Sequence, residues 1–119
     1  MKQINKMIFQ TLLVVSFVVF SNLVSAQQAK IETVQLSTSG QCGMCKERIE
    51  AALAFAPGIQ FVELSMVDMV LTVKYKTKKI DLQGVKKLVS DLGYSAGDMK
   101  ANEDAMNKLP MCCQPGGHL

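Results

Sequence analysis

Apolar and polar residues follow regular spacings along most of the chain, and these spacings predict five elements after residue 30. Residues 31–37 alternate with a period of two, which indicates a strand. Residues 59–66 and 69–76 are two β-rich runs separated by a short turn, so we predict a hairpin. Residues 45–56 and 82–92 carry apolar side chains at helical spacing, which predicts two amphipathic helices.

Turn and capping residues set the ends of these helices. Pro57-Gly58 ends the first, Asp81 can cap the second, and Gly93 ends it. The predicted core combines one face of each element. Its members are Val34, Leu36, Cys45, Ile49, Ala52, Leu53, Ala56, Val62, Leu64, Leu71, Val73, Leu82, Val85, Leu88, Val89 and Leu92.

The order of elements predicts the fold class. With residues 94–99 as a fourth strand, the order is βαββαβ, typical of an α+β, ferredoxin-like two-layer sandwich. We expect this domain to span residues 27–100. Residues 101–119 form an extension, with a short helix over 102–109 capped by Asn102. Residues 111–119 lack periodicity and are expected to be a mobile tail.

The first 26 residues have the three parts of a secretory signal peptide. Residues 1–6 are polar and basic, residues 7–20 are mostly apolar, and residues 24–26 are Val-Ser-Ala. A membrane-spanning helix needs about 20 predominantly apolar residues, and polar residues interrupt this run, so we favour cleavage after Ala26 over an anchor. We therefore expect a periplasmic or secreted protein that meets the membrane only during export.

Composition excludes several functions. After residue 26 the chain has 11 Lys and Arg against 10 Asp and Glu, and it has no tryptophan. A nearly neutral chain with few aromatic residues gives no basis for nucleic-acid binding. The single histidine is His118, and no serine–histidine–aspartate set or pair of carboxylates is visible. We therefore expect a monomeric binding protein and not an enzyme.

Two of the four cysteines, Cys42 and Cys45, are separated by two residues at the start of the first predicted helix. The positive end of a helix favours the thiolate form, and thiolates bind Cu(I), Zn(II) and similar soft or borderline ions. The same spacing also occurs in redox dithiols, so a thiol-disulfide oxidoreductase is the alternative. A structural disulfide is the third possibility, although so short a loop gives little stabilisation.

Around these cysteines the sequence resembles the heavy-metal-associated domain family, which includes copper chaperones and domains of metal-transporting ATPases. The resemblance covers about residues 31–99 and rests on Cys42-x-x-Cys45, Ile49, Leu53, Pro57-Gly58-Ile59 and Leu92-Gly93-Tyr94. It implies a ferredoxin-like fold in which Cys42 and Cys45 bind one metal ion and pass it on by ligand exchange. It also places Tyr94 near the metal loop.

One departure concerns the loop. The family usually has Met two residues before the first cysteine, whereas this chain has Gly40 there and Met44 between the cysteines. We therefore expect the loop to be anchored differently.

The tail adds a second group of soft donors. Cys112 and Cys113 are adjacent, and His118 follows them. A thiol pair on a flexible tail suits completion or transfer of metal coordination, so Cys42, Cys45, Cys112 and Cys113 are the predicted metal ligands. The favoured ion is Cu(I), with Hg(II) and Zn(II) as alternatives. The expected partner is a metal-transporting membrane protein or another metal carrier.

Overall fold

The computed structural model describes residues 2–21 and 30–115. After helix α1 (Lys2–Ser21) come strand β1 (Ile31–Ser37), helix α2 (Gly43–Ala54), strands β2 (Ile59–Leu64) and β3 (Val70–Lys76), and helix α3 (Leu82–Asp91). A short helix α4 (Glu103–Asn107) and a 3-10 turn at Met111–Cys113 follow. We call this last element the cysteine turn. From β1 to α3 the order matches the predicted one.

The three strands form an antiparallel sheet in the order β1-β3-β2. In its register Leu71 of β3 lies opposite Leu36 on one side and Leu64 on the other. All three leucines are buried, because period-two alternation turns one face of each strand towards the helices. Helices α2 and α3 add Ile49, Leu53, Val85 and Val89 to the same core, so the domain is the α+β ferredoxin-like arrangement that the element order predicts.

The predicted fourth strand over residues 94–99 is wrong as a regular strand. Ala96 forms a single antiparallel bridge with Thr38, and it also exchanges both backbone hydrogen bonds with Met99. Gly97 has a φ of +59°, so the backbone turns back here. The segment therefore closes on itself after one bridge, because a tight turn uses the backbone groups that a strand would need.

The buried face of α2 is narrower than predicted. Cys45, Ile49 and Leu53 are buried at a spacing of four residues, whereas Ala52 is exposed and Ala56 is only half-buried. The first turns of the helix are fixed to β2 at Leu64. Its amide donates to Glu50 Oε1 at 2.8 Å, and its carbonyl accepts from Lys46 Nζ at 2.8 Å. These bonds hold the cysteine-bearing end of α2 against the sheet.

The C-terminal extension is docked, so the prediction of a mobile tail is wrong for residues 111–115. Asn102 caps α4 as predicted, with its side chain accepting from the Ala105 amide at 3.0 Å. The Asn102 amide in turn donates to the Ser90 carbonyl at the end of α3. Leu109 and Cys113 are buried in the domain core, and this apolar burial stabilises the docked position of the tail.

The N-terminal residues are described as the helix α1. Among residues 2–21 and 30–115, no helix has both the length and the hydropathy required to cross a membrane. The predicted cleavage position between Ala26 and Gln27 lies outside the described residues.

Candidate metal centre

The Cys42-x-x-Cys45 motif occupies the N-terminus of α2. Cys42 is the N-cap residue in extended conformation, and Cys45 lies in the first turn. Their sulfur atoms are 2.9 Å apart, so the two-residue spacer brings both thiols to one point. Cys42 is half-buried, whereas Cys45 is fully buried. Only the first of the two therefore offers its sulfur to an incoming ion from solvent.

The cysteine turn brings the other two thiols to the same point. Cys113 Sγ lies 2.7 Å from Cys45 Sγ and 3.6 Å from Cys42 Sγ. Cys112 Sγ lies 3.5 Å from Cys42 Sγ. All four are free thiols, and we call them the four-sulfur cluster. The structure thus gathers the four cysteines that the sequence singled out, whereas His118 lies outside the described residues.

Two glutamines hold the cysteine turn in place. Gln41 Nε2 donates to the Gln114 carbonyl at 2.7 Å, linking the residue before Cys42 to the residue after Cys113. Gln114 Nε2 donates in turn to the Leu109 carbonyl at 2.8 Å. Sequence reasoning missed both glutamines, because nothing local in the sequence pairs residues 73 positions apart.

Gly93 lets the extension approach the domain. Its φ is +101°, and a Cβ placed there would lie 2.7 Å from the Met106 amide nitrogen and 2.9 Å from the Ala105 carbonyl carbon. These are backbone atoms of α4, which cannot move aside as a side chain can. The glycine that was predicted only as a helix stop therefore also provides the contact surface for the extension.

Tyr94 lies beneath the cluster. It is fully buried, and within the described part of the chain its hydroxyl has no hydrogen-bond partner. Burial raises the pKa of this phenol, and the neighbouring thiols of Cys113 and Cys45 raise it further. The hydroxyl therefore stays protonated and is available as a donor to a thiolate. The position near the metal loop is the one that the family resemblance implied.

Before Cys42 the loop packs Gly40, and not a methionine, against the core. Gly40 is buried, and a Cβ there would lie 3.0 Å from Ile49 Cδ1 and 3.2 Å from Leu64 Cδ2. The core side chains thus fill the space that a side chain at residue 40 would need. Met44 points outwards at 49% exposure, and its sulfur lies 3.9 Å from Cys112 Sγ.

The thiols of the cluster differ in pKa. Burial alone raises the pKa of Cys42, but hydrogen bonds from the Cys45 thiol and amide, and from the tail thiols, lower it to about 6. Burial, followed by the Cys45 thiol, raises the pKa of Cys113 to about 12. The neighbouring Cys42 thiol raises the pKa of Cys112. Among Cys42, Cys112 and Cys113, Cys42 is therefore the thiol that ionises first in the metal-free protein.

This order of acidity predicts the order of alkylation in the metal-free, reduced protein. We expect iodoacetamide to label Cys42 first at pH 7, with a rate that falls to half its plateau near pH 6, because only the thiolate reacts. Cys113 should label last, since it is both buried and weakly acidic. Peptide mapping after timed quenching measures both rates. Equal rates for the two cysteines would contradict the described geometry.

Four convergent thiols at the end of a small α+β domain define a class of protein, those that bind a soft metal ion through thiolates. Comparison of the sequence with known protein families identifies the family. The model of the heavy-metal-associated domain matches residues 41–95, so this part of the chain is a heavy-metal-associated domain. The matched segment includes Cys42 and Cys45 and ends before the extension that carries Cys112 and Cys113.

Proteins with known structures or curated descriptions support this assignment. The chain is 26% identical to the CopZ metallochaperone over 55% of this chain and 98% of that one, with a TM-score of 0.52. It is 25% identical to oxidized MerP from Ralstonia metallidurans CH34 over 57% of this chain and 96% of that one, with a TM-score of 0.54.

A curated relative is the "Probable copper-exporting P-type ATPase" of Archaeoglobus fulgidus. The two are 30% identical over 64 residues, which are 54% of this chain and 8% of that protein. The chain thus spans about a twelfth of the length of this relative.

Proposed function

We propose that this protein is an exported metal carrier that binds a soft ion, Cu(I) before Hg(II) or Zn(II), and passes it on by ligand exchange. The observation that carries the proposal is the convergence of four free thiols, led by Cys42 with a pKa of about 6. Cys42 and Cys45 are the primary ligands, and Cys112 and Cys113 are additional thiolates for an ion that takes more than two. The heavy-metal-associated domain and its likeness to a metallochaperone support this function.

Ligand exchange needs one ligand that an acceptor can reach and one that keeps the ion in place. Cys42 is half-buried at the mouth of the site, and Cys45 is fully buried beneath it. An incoming thiolate can therefore contact the ion from the side of Cys42 while Cys45 still holds it. The acceptor is a metal-transporting membrane protein or another carrier, and the copper-exporting relative illustrates such a transporter. Binding and exchange require no catalytic group, so we propose no enzymatic activity.

Export through the N-terminal segment is part of the proposal. The basic start, apolar middle and Val24-Ser25-Ala26 end support cleavage after Ala26 and delivery to the periplasm or the medium. An oxidising compartment would oxidise an idle dithiol, so bound metal would also protect Cys42 and Cys45 there.

Native mass spectrometry tests the proposal on protein expressed from the full-length gene and recovered from the exported fraction under reducing conditions. We expect a chain that begins at Gln27 and binds one Cu(I). Competition with Zn(II) and Hg(II) in the same experiment gives the preference. A full-length chain in the membrane fraction would contradict export. An exported chain that binds none of the three ions would contradict the carrier function.

A dithiol oxidoreductase is the second candidate, and one observation favours it. Cys42 has the low pKa of a reactive thiol, and its sulfur is 2.9 Å from that of Cys45. Such an enzyme would reduce a small disulfide at a rate that disappears in the Cys42→Ser variant and does not depend on metal. The carrier predicts a slow exchange rate that bound Cu(I) suppresses.

A further inference from the structure

We propose that the docked cysteine turn gives the carrier a second binding mode, in which all four sulfurs surround one divalent ion of tetrahedral preference, such as Zn(II). In this mode Cys112 and Cys113 determine the specificity, and Cu(I) remains bound by Cys42 and Cys45 alone. The inference rests on the proposed function, because it concerns the same site. It goes beyond the matched domain, since both tail cysteines lie outside residues 41–95.

The sulfur positions carry the argument. The three distances among Cys42, Cys112 and Cys113 are 3.5, 3.6 and 3.9 Å. A zinc–sulfur bond of about 2.3 Å places the corners of a regular sulfur tetrahedron ~3.8 Å apart. Three of the four sulfurs therefore already lie near the corners of one face of a zinc–thiolate tetrahedron.

Cys45 supplies the fourth corner after its sulfur moves, because it lies outside the group of three that already fits one ion. Its sulfur is 2.9 Å from Cys42 Sγ and 2.7 Å from Cys113 Sγ, and both distances are shorter than the edge of that tetrahedron. Both must widen by about 1 Å when the protons leave and the sulfurs share an ion. A thiol has one short side-chain bond to rotate, so this change leaves the α2 backbone in place.

Several of the contacts that dock the extension do not involve sulfur. Gln41 and Gln114 fix the cysteine turn by hydrogen bonds, and Leu109 is buried in the core. The tail thiols are thus ordered before metal arrives, so little conformational entropy is lost when they bind. Tethering also gives them a high local concentration that no external ligand shares.

Ion chemistry then separates the two modes. Zn(II) in closed protein sites takes four ligands, so two cysteines alone leave its coordination incomplete. Cu(I) is a softer ion for which the two thiolates of the loop suffice. The docked tail therefore increases the affinity for Zn(II) far more than that for Cu(I).

The test uses the mature chain and a variant with Cys112→Ser and Cys113→Ala, which preserves the chain length and avoids a hydroxyl at the buried position. Co(II) serves as the spectroscopic probe, because its absorption reports tetrahedral geometry and the number of thiolate ligands. Zn(II) and Cu(I) affinities come from competition with chromophoric chelators. We expect the double variant to lose the four-thiolate Co(II) spectrum and at least ~10⁴-fold in Zn(II) affinity, with Cu(I) affinity changed less than about threefold.

Gln41→Ala is the matched control, since it keeps all four sulfurs and removes only the hydrogen bonds from Gln41 to the turn. We expect it to keep the four-thiolate Co(II) spectrum while binding Zn(II) about tenfold more weakly. If the double variant binds Zn(II) as the parent does while both bind Cu(I), the second mode is overturned and the carrier function stands. If neither protein binds Cu(I), the carrier function itself fails.

Discussion

Cys42→Ser is expected to lower the affinity for Cu(I) by about two to three orders of magnitude while the domain stays folded. The binding free energy of Zn(II) in four-ligand structural sites is about 10–16 kcal/mol, so each ligand accounts for roughly 2.5–4 kcal/mol of it. We take the same share for one thiolate bound to Cu(I). Cys42 is also the centre of the cluster, since its sulfur lies within 3.6 Å of the other three. Its loss removes the thiol whose pKa is lowered and the shared neighbour of the other three.

The fold should survive because Cys42 is only half-buried at the helix N-cap, where serine is a favourable residue. Cys45 differs from Cys42 in its burial. It is fully buried, so Cys45→Ser also places a hydroxyl in the core at a cost of about 1–3 kcal/mol. Cys42→Ser is therefore the variant that separates metal binding from stability.

Competition with a chromophoric Cu(I) chelator measures the affinity, and urea unfolding of the metal-free protein measures the stability. Met44→Leu is the control, because Met44 lies between the two cysteines, is 49% exposed and is not among the four thiols. We expect the control to bind Cu(I) as the parent does. Unchanged affinity in Cys42→Ser would show that the ion is held elsewhere.

Local pattern predicted most of the domain. The burial of Leu36, Leu64, Leu71, Val85 and Val89 follows from periodicity, because alternation and helical spacing record which face meets the core. The convergence of Cys42 and Cys45 could also be predicted from the sequence, since a spacer of two residues at a helix start brings the two sulfurs together. These features depend only on residues that are close in sequence.

The position of the tail depends on contacts that periodicity does not encode. Residues 100–111 are long enough to return to the metal loop, but periodicity does not determine the end of the sheet at which the chain emerges. That end is set by the tight turn at Gly97, which replaced the predicted fourth strand, and by the close approach of α4 to Gly93. The Gln41–Gln114 bond then fixes the cysteine turn. Each is a pairing between distant segments, visible only once the chain is folded.

Gly93→Ala is expected to release the extension and so to weaken Zn(II) binding by at least ~10³-fold, with a loss of about 2–4 kcal/mol in the free energy of unfolding. The added Cβ would sit 2.7 Å from the Met106 amide nitrogen, and the backbone φ of +101° is strained for any residue with a Cβ. Helix α4 has five residues and none is buried, so it gives way before α3 does.

Release of α4 carries the cysteine turn away from Cys42 and Cys45, whereas Cu(I) binding by these two should persist. Zn(II) competition and the Co(II) spectrum measure whether the tail thiols still bind the ion. Urea unfolding measures the stability of the domain. Gly97→Ala is the matched control, because its φ is also positive at +59° but its Cβ would meet nothing closer than Leu36 Cδ2 at 3.4 Å. That variant should lose about 1–2 kcal/mol of stability and keep its Zn(II) affinity. If both variants lose Zn(II) equally, general destabilisation and not the contact between Gly93 and α4 controls the site.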